Sequence, residues 1–231
     1  MALYVIADLH LPLGIDKPMD VFGGVWDNYV ERLKENWQST VTKDDIVIIA
    51  GDVSWATYLE EAKRDFEFLH SLNGKKIIIK GNHDYWWTTM NKLKSFVVEN
   101  GFNSIEFLQN NYYMYENIAL CGTRGWKHPA WENFNEEDKK LFDRECVRLE
   151  LSLQSIGECD DIFVFSHYPP ISEQKEDNKF RQLMKQYGVS KCFYGHLHSA
   201  AQCNAVNETV NGVEYRLIAA DYLRFMPYRV I

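Results

Sequence analysis

The sequence predicts an α/β fold. Three observations carry this. Short apolar runs rich in Val and Ile alternate with longer amphipathic stretches. Asn-Gly and Gly signals close several of those stretches. Short polar motifs follow five of the apolar runs directly, and in α/β folds ligand sites gather at the carboxyl ends of strands.

The elements are expected in this order. Leu3 to Ala7 reads as a strand and Val25 to Trp37 as a helix. Ile46 to Ala50 reads as a strand, and Tyr58 to Leu72 as a helix closed by Asn73-Gly74. Lys76 to Lys80 is a strand, and Thr88 to Asn100 a helix closed by Gly101. Two or three short strands are expected between Ser104 and Cys121, then a charged helix over Glu136 to Ile156. Ile162 to Phe165 is a strand, Phe180 to Tyr187 a helix, and Lys191 to Tyr194 a strand. The tail reads as a hairpin, with strands Ala201 to Val206 and Glu214 to Ala220 joined through Asn211-Gly212. Leu9 to Gly24 and Gly122 to Asn135 are the least regular segments. No repeat or linker interrupts the pattern, so one domain over residues 1–231 is expected.

Composition excludes some classes. Hydrophobic residues make up 46% of the chain, enough for a sizeable core. No apolar run is long enough to span a membrane. The first residues lack the basic and apolar regions of a signal peptide. The five cysteines are scattered, as in a reduced, cytoplasmic chain. The net charge of −8 disfavours a grip on duplex nucleic acid.

The motifs are Asp8-Leu9-His10, Gly51-Asp52, Gly81-Asn82-His83-Asp84, Ser166-His167 and Gly195-His196-Leu197-His198. In extended chain, residues i and i+2 share a side, so Asp8 with His10 and His196 with His198 are expected to face one site. Gly51, Gly81 and Gly195 let the backbone turn and approach closely. Imidazole, carboxylate and amide donors without a thiolate suit Mn, Fe, Co or Zn and argue against an iron–sulfur cluster. Gly-Asn-His-Asp and Gly-His-x-His are rare by chance in this composition, and they lend weight to the weaker matches. Taken alone, His167 reads as a hydrogen-bonded structural residue, Asp52 as a cap and Asn82 as a turn residue. His70 reads as structural.

In this order the motifs resemble those of the calcineurin-like metallophosphoesterase superfamily, over residues 8 to 198. The resemblance implies a four-layer α-β-β-α sandwich of two facing mixed β-sheets, with a binuclear metal site at the strand C-terminal ends. It implies two divalent transition-metal ions: Mn, Fe, Zn, Co or Ni. Asp8, His10 and His198 would hold one, Asn82, His167 and His196 the other, and Asp52 would bridge them. His83 would contact the substrate phosphate and protonate the leaving group, with Asp84 orienting it. One departure is clear. Trp55 stands where many members carry Asp, and Ala56 and Asp84 replace the Arg and Glu of the superfamily's protein phosphatases. A small phosphorylated substrate, a phosphodiester or phosphomonoester, is therefore expected. The alternative is a non-catalytic scaffold of the same fold.

Other residues have weaker expectations. Arg124, within the Gly122 to Trp131 loop, is expected to fork onto a substrate phosphate or to sit in a packed loop with a surface ion pair. Trp126 or Trp131 would stack on a base or sugar, or simply pack, and His128 would assist or be structural. Trp86 and Trp87 are expected in the core. Pro169 and Pro170 are expected to stiffen the turn after His167. Asp221 is a partner for a metal-bound histidine or a plain turn residue.

Overall fold

Alternation along the strands builds the layers. The computed structural model describes residues 1–17 and 19–231; Pro18, within the expected Leu9 to Gly24 loop, lies outside them. The first sheet holds β1 (Leu3–Ile6), β2 (Ile46–Ala50), β3 (Lys75–Ile79) and β4 (Ile105–Phe107), all parallel. The second holds β5 (Tyr112–Tyr115), β6 (Ile118–Thr123), β7 (Asp161–Ser166), β8 (Lys191–Tyr194), β9 (Thr209–Val210) and β10 (Val213–Leu217), in the order β5-β6-β7-β8-β10-β9. Here β6, β7, β8 and β10 run parallel, while β5 and β9 are antiparallel edges. The chain ends on β11 (Tyr228–Arg229), antiparallel to β1 at the edge of the first sheet.

Successive side chains in a strand point to opposite faces. Leu3, Val5, Ile48, Ala50, Ile77 and Ile79 thus share one buried cluster with Phe163, Phe165 and Phe193 of the second sheet. That cluster is the seam between the facing sheets. The alternate residues Tyr4, Ile6, Val47, Ile49 and Ile78 pack outward against α1 (Tyr29–Thr40), α2 (Lys63–Ser71) and α3 (Met90–Glu99). On the other side, Val164, Cys192 and Tyr194 pack against α4 (Glu136–Gln154) and α5 (Lys179–Gln186). The result is the expected α-β-β-α order. Burying each large apolar side chain contributes about 1.5–3 kcal/mol.

The helix boundaries have local causes. In α1, Tyr29, Leu33 and Trp37 recur at i, i+4 and i+8 and are buried. The Thr89 side chain caps α3, accepting from Lys92 N. Asn135 and Asp138 form a reciprocal capping box on α4.

Three expectations need correction. The helix expected from Val25 begins at Tyr29; Gly24–Trp26 is a short 3-10 turn beyond the left-handed Gly23 and Gly24. The helix expected from Tyr58 begins only at Lys63. The expected strand Ala201 to Val206 is largely a 3-10 helix, Ser199–Asn204. The hairpin does turn at Asn211-Gly212, where both φ angles are positive, but its first strand is Thr209–Val210.

Among the described residues no helix is long and apolar enough to cross a membrane.

Candidate metal centre

The five polar motifs sit on the loops after β1, β2, β3, β7 and β8. A short link between the sheets gathers these loops. Ala7 N donates to Ile218 O, and Ala220 N donates to Ala7 O, both at 2.9 Å. The end of the first sheet is thereby tied to the second beside Asp8.

Close backbone approach needs the expected glycines. A Cβ on Gly81 would lie 2.1 Å from Asp52 Oδ1, and one on Gly195 would lie 2.4 Å from Asp8 Oδ2. Neither Asp8 to His10 nor His196 to His198 runs as the extended chain expected from the i, i+2 spacing. Asp8, His10, Asp52 and His196 all have positive φ, at 61°, 47°, 52° and 73°. Such left-handed backbone is costly away from glycine and concentrates at functional sites. The side chains still converge, because the backbone turns inward rather than running straight.

Two donor groups result. Asp8, His10 and His198 each offer an atom within 4.8 Å of the others, and so do Asp8, Asp52 and His167. His10 Nε2 lies 3.4 Å from His198 Nε2. Asp52 Oδ2 stands 3.8 Å from His10 Nε2 and 3.4 Å from His167 Nε2, between the two groups. Asn82 Oδ1 faces His167 Nε2 at 2.6 Å and His196 Nδ1 at 2.9 Å. All seven expected ligand residues meet here.

His167 Nδ1 lies 3.1 Å from Ala50 O. A carbonyl only accepts, so the proton sits on Nδ1 and the Nε2 lone pair faces Asn82 Oδ1 and Asp52 Oδ2. Burial keeps His167 below its ordinary pKa, hence neutral. Asp8 Oδ1 is buried without a hydrogen-bond partner among the described residues. Converging lone pairs and an orphaned carboxylate oxygen fit divalent cations. Charges respond accordingly. Burial, then the Asp8 charge, raise Asp52 well above the carboxylate range. Burial alone would raise Asp8, but His198 beside it holds that carboxyl below its usual range. Burial alone would lower His198, but Asp8 and the Asp221 hydrogen bond lift it to about 10. Burial and the neighbouring His167 push His196 down to about 3.

Asp221 touches a candidate ligand directly. Its Oδ1 accepts from His198 Nδ1 at 3.0 Å, and its Oδ2 accepts from Gln202 Nε2 at 2.8 Å.

His83 stands over the centre, its ring 5.7 Å from His10 and 4.6 Å from Trp55. Asp84 does not reach it. Both Asp84 oxygens are taken by the backbone N–H groups of Gly81, Asp52, Val53 and Ser54 and by the Trp86 indole. Asp84 is fully buried and locks the loop after β2 to the loop after β3. Its expected role as the orienter of His83 is corrected to that of a loop anchor.

Arg124 is also corrected. Its guanidinium pairs with the fully buried Glu145 at 3.1 Å and lies over the Trp126 ring at 4.4 Å. Glu145 further accepts from Thr123 and Arg148. Arg124 contributes to the site by its backbone carbonyl, which accepts from His167 N and Tyr168 N. His128 is buried against Asn178 and Ala130. His70 meets Ser104, and Trp86 and Trp87 lie in the core as expected.

Two clefts flank the centre. One of about 660 Å³ is lined by Trp131, Ser172, Glu173 and His196. There the His196 ring packs between Tyr168, at 4.0 Å, and Trp131, stacked at 6.3 Å. The other, of about 470 Å³, is lined by Met19, Val25, Trp26 and Trp55 with His10, His83 and His198. Sequence reasoning missed Trp26 here; no spacing signal marks it.

Comparison with known proteins agrees with this fold. A curated relative, a probable cyclic nucleotide phosphodiesterase of Vesicomyosocius okutanii subsp. Calyptogena okutanii (strain HA), is 24% identical over 169 residues, 68% of this chain. The match spans 64% of that protein's length. A phosphopantetheinyl hydrolase of Mycobacterium tuberculosis superposes with a TM-score of 0.60 at 14% identity, covering 100% of this chain and 95% of that one. A protein of unknown function from Aquifex aeolicus gives 0.54 at 14% identity, covering 99% and 95%. These two likenesses show the fold. The calcineurin-like phosphoesterase family model matches residues 1–200. The motifs, the paired sheets and that match together make the chain a member of the calcineurin-like phosphoesterase family.

Proposed function

We propose that the chain is a metal-dependent phosphoesterase acting on a small-molecule phosphodiester or phosphomonoester. The observation that carries it is the convergence of seven donor side chains, with the His167 Nε2 lone pair facing Asn82 Oδ1 and an orphaned Asp8 oxygen beside them. Asp8, His10 and His198 would hold one cation and Asn82, His167 and His196 the other, with Asp52 between. When bound, such cations polarise phosphoryl oxygens and acidify water.

The chain's own residues do the rest. Asp221 and the Ala50 carbonyl hold His198 and His167 with Nε2 turned inward. Asp84 keeps Asp52 and Asn82 in register by tying their loops together. His83 delivers a proton to the departing alcohol oxygen. Tyr168 and Trp131 brace His196.

Manganese in a cytoplasmic setting is the proposed condition. Free cysteines, three of them buried, support a reducing compartment. No grip on duplex nucleic acid or on a membrane is proposed, in keeping with the net charge of −8. The test is a paired assay with p-nitrophenyl phosphate and bis-p-nitrophenyl phosphate under Mn²⁺, Ni²⁺, Zn²⁺ and Mg²⁺. Metal-dependent turnover of at least one ester is expected. No turnover of either under any metal would overturn the reading.

A further inference from the structure

The smaller cleft has a chemistry of its own. Its walls are Met19, Val25, Trp26 and Trp55, and apart from the site histidines only Ser199 adds a polar side chain among the described lining residues. The two indoles are packed on both candidate ligands and on the fold behind them. Trp55 stacks on His10 at 4.5 Å with 20° between planes, and Lys17 Nζ sits 3.5 Å from the centre of its ring. With His10 stacked on it and Lys17 over its ring, Trp55 is wedged in place. Trp26 packs edge-on against Tyr29 and Phe225, each at 5.2 Å, and lies 5.9 Å from both His10 and His198. An apolar wall therefore rests directly on two candidate metal ligands.

The position of His83 decides which part of a substrate enters. His83 lines this cleft and is absent from the lining of the other. A proton donor must lie beside the oxygen it protonates. Building on the phosphoesterase reading above, we propose that this cleft receives the departing alcohol and selects phosphodiesters whose leaving arm is uncharged and apolar, an aryl or arylalkyl group above all. The volume of about 470 Å³ suits an arm of that size. In the reaction the phosphorus–oxygen bond to that arm breaks, its electron pair going to the alcohol oxygen. A bond from phosphorus to a water oxygen forms. One water proton is balanced by the proton His83 gives to the alcohol.

A mixed ester tests this within one molecule. Methyl 2-phenylethyl phosphate is incubated with the Mn²⁺-loaded chain, and released 2-phenylethanol and methanol are quantified. The two alcohols are of similar acidity, so chemistry alone gives near parity. The cleft is expected to favour 2-phenylethanol by at least about tenfold, the discrimination an apolar pocket supplies. Trp55→Ala and Met19→Ala are each expected to bring the ratio towards parity. The ratio does not depend on how much enzyme is folded or loaded, and the unaltered chain decides even if both variants fail to fold. Parity or excess methanol from the unaltered chain would overturn the proposal, as would an unchanged ratio in both variants. Turnover of bis-p-nitrophenyl phosphate alongside such a result leaves the phosphoesterase reading standing; no turnover of either ester removes both.

Discussion

Asp221 Oδ1 accepts a hydrogen bond from His198 Nδ1 at 3.0 Å, which turns His198 Nε2 towards Asp8 Oδ1 at 3.5 Å. One carboxylate thus orients the imidazole that faces another. Partners of this kind raise ligand basicity and fix the tautomer. Asp221→Ala is expected to weaken metal binding about 10–100-fold. Calorimetric Mn²⁺ titration of the two proteins measures it. Unchanged affinity would make Asp221 an ordinary turn residue.

Among the described residues, His83 lies outside the grouped metal donors and lines the apolar cleft beside them. His83→Ala is expected to lower kcat about 10²–10⁴-fold and to leave bound Mn²⁺ unchanged. Elemental analysis beside steady-state kinetics separates the two quantities. Loss of metal with activity would make His83 a ligand instead.

Arg124 carries the opposite expectation. Its pairing with the fully buried Glu145 is structural. Arg124→Ala removes one charged donor from that carboxylate and leaves Thr123 and Arg148 in place, at a cost of about 1.5–3 kcal/mol. At about 2–4 °C per kcal/mol, the melting temperature should fall by roughly 3–12 °C. KM for bis-p-nitrophenyl phosphate should stay within about twofold of the parent value in the folded fraction, a uniform-binding readout. A large rise in KM without a fall in melting temperature would restore a phosphate-binding role.

His128 gives a pH signature remote from the centre. Burial, then the charge of Arg181, push it down to about 4. Asn178 Nδ2 and Ala130 N meet its two ring nitrogens, and neither group can accept a proton from the ring. Between pH 6.5 and 4 the unfolded chain binds more protons at this residue, so stability falls as pH drops through that window. The contribution lost is about 3 kcal/mol. Urea unfolding of the parent and of His128→Gln at pH 7 and pH 4.5 checks it. The variant should show the shallower decline.

Much of this was legible in sequence because strand ends are local signals. The motifs at Asp8, Asp52, Asn82, His167 and His196 each follow an apolar run that does form a strand. What failed depends on long-range partners. Glu145 lies 21 residues beyond Arg124, and only tertiary folding shows that it captures the guanidinium. Asp84 sits next to His83, yet its oxygens face backbone donors about 30 residues upstream. The 3-10 turn at Ser199–Asn204 carried alternation too weak to separate from a strand. Trp26 lay in a segment read as helix, and its approach to His10 and His198 rests on the left-handed pair Gly23 and Gly24.

The central claim is that seven side chains form a two-cation centre. Anomalous diffraction at the Mn absorption edge, from crystals grown with Mn²⁺, addresses it directly. Two peaks are expected, one among Asp8, His10 and His198 and one among Asn82, His167 and His196, with Asp52 between them. No peak at these residues, or peaks bound only elsewhere on the surface, would contradict it.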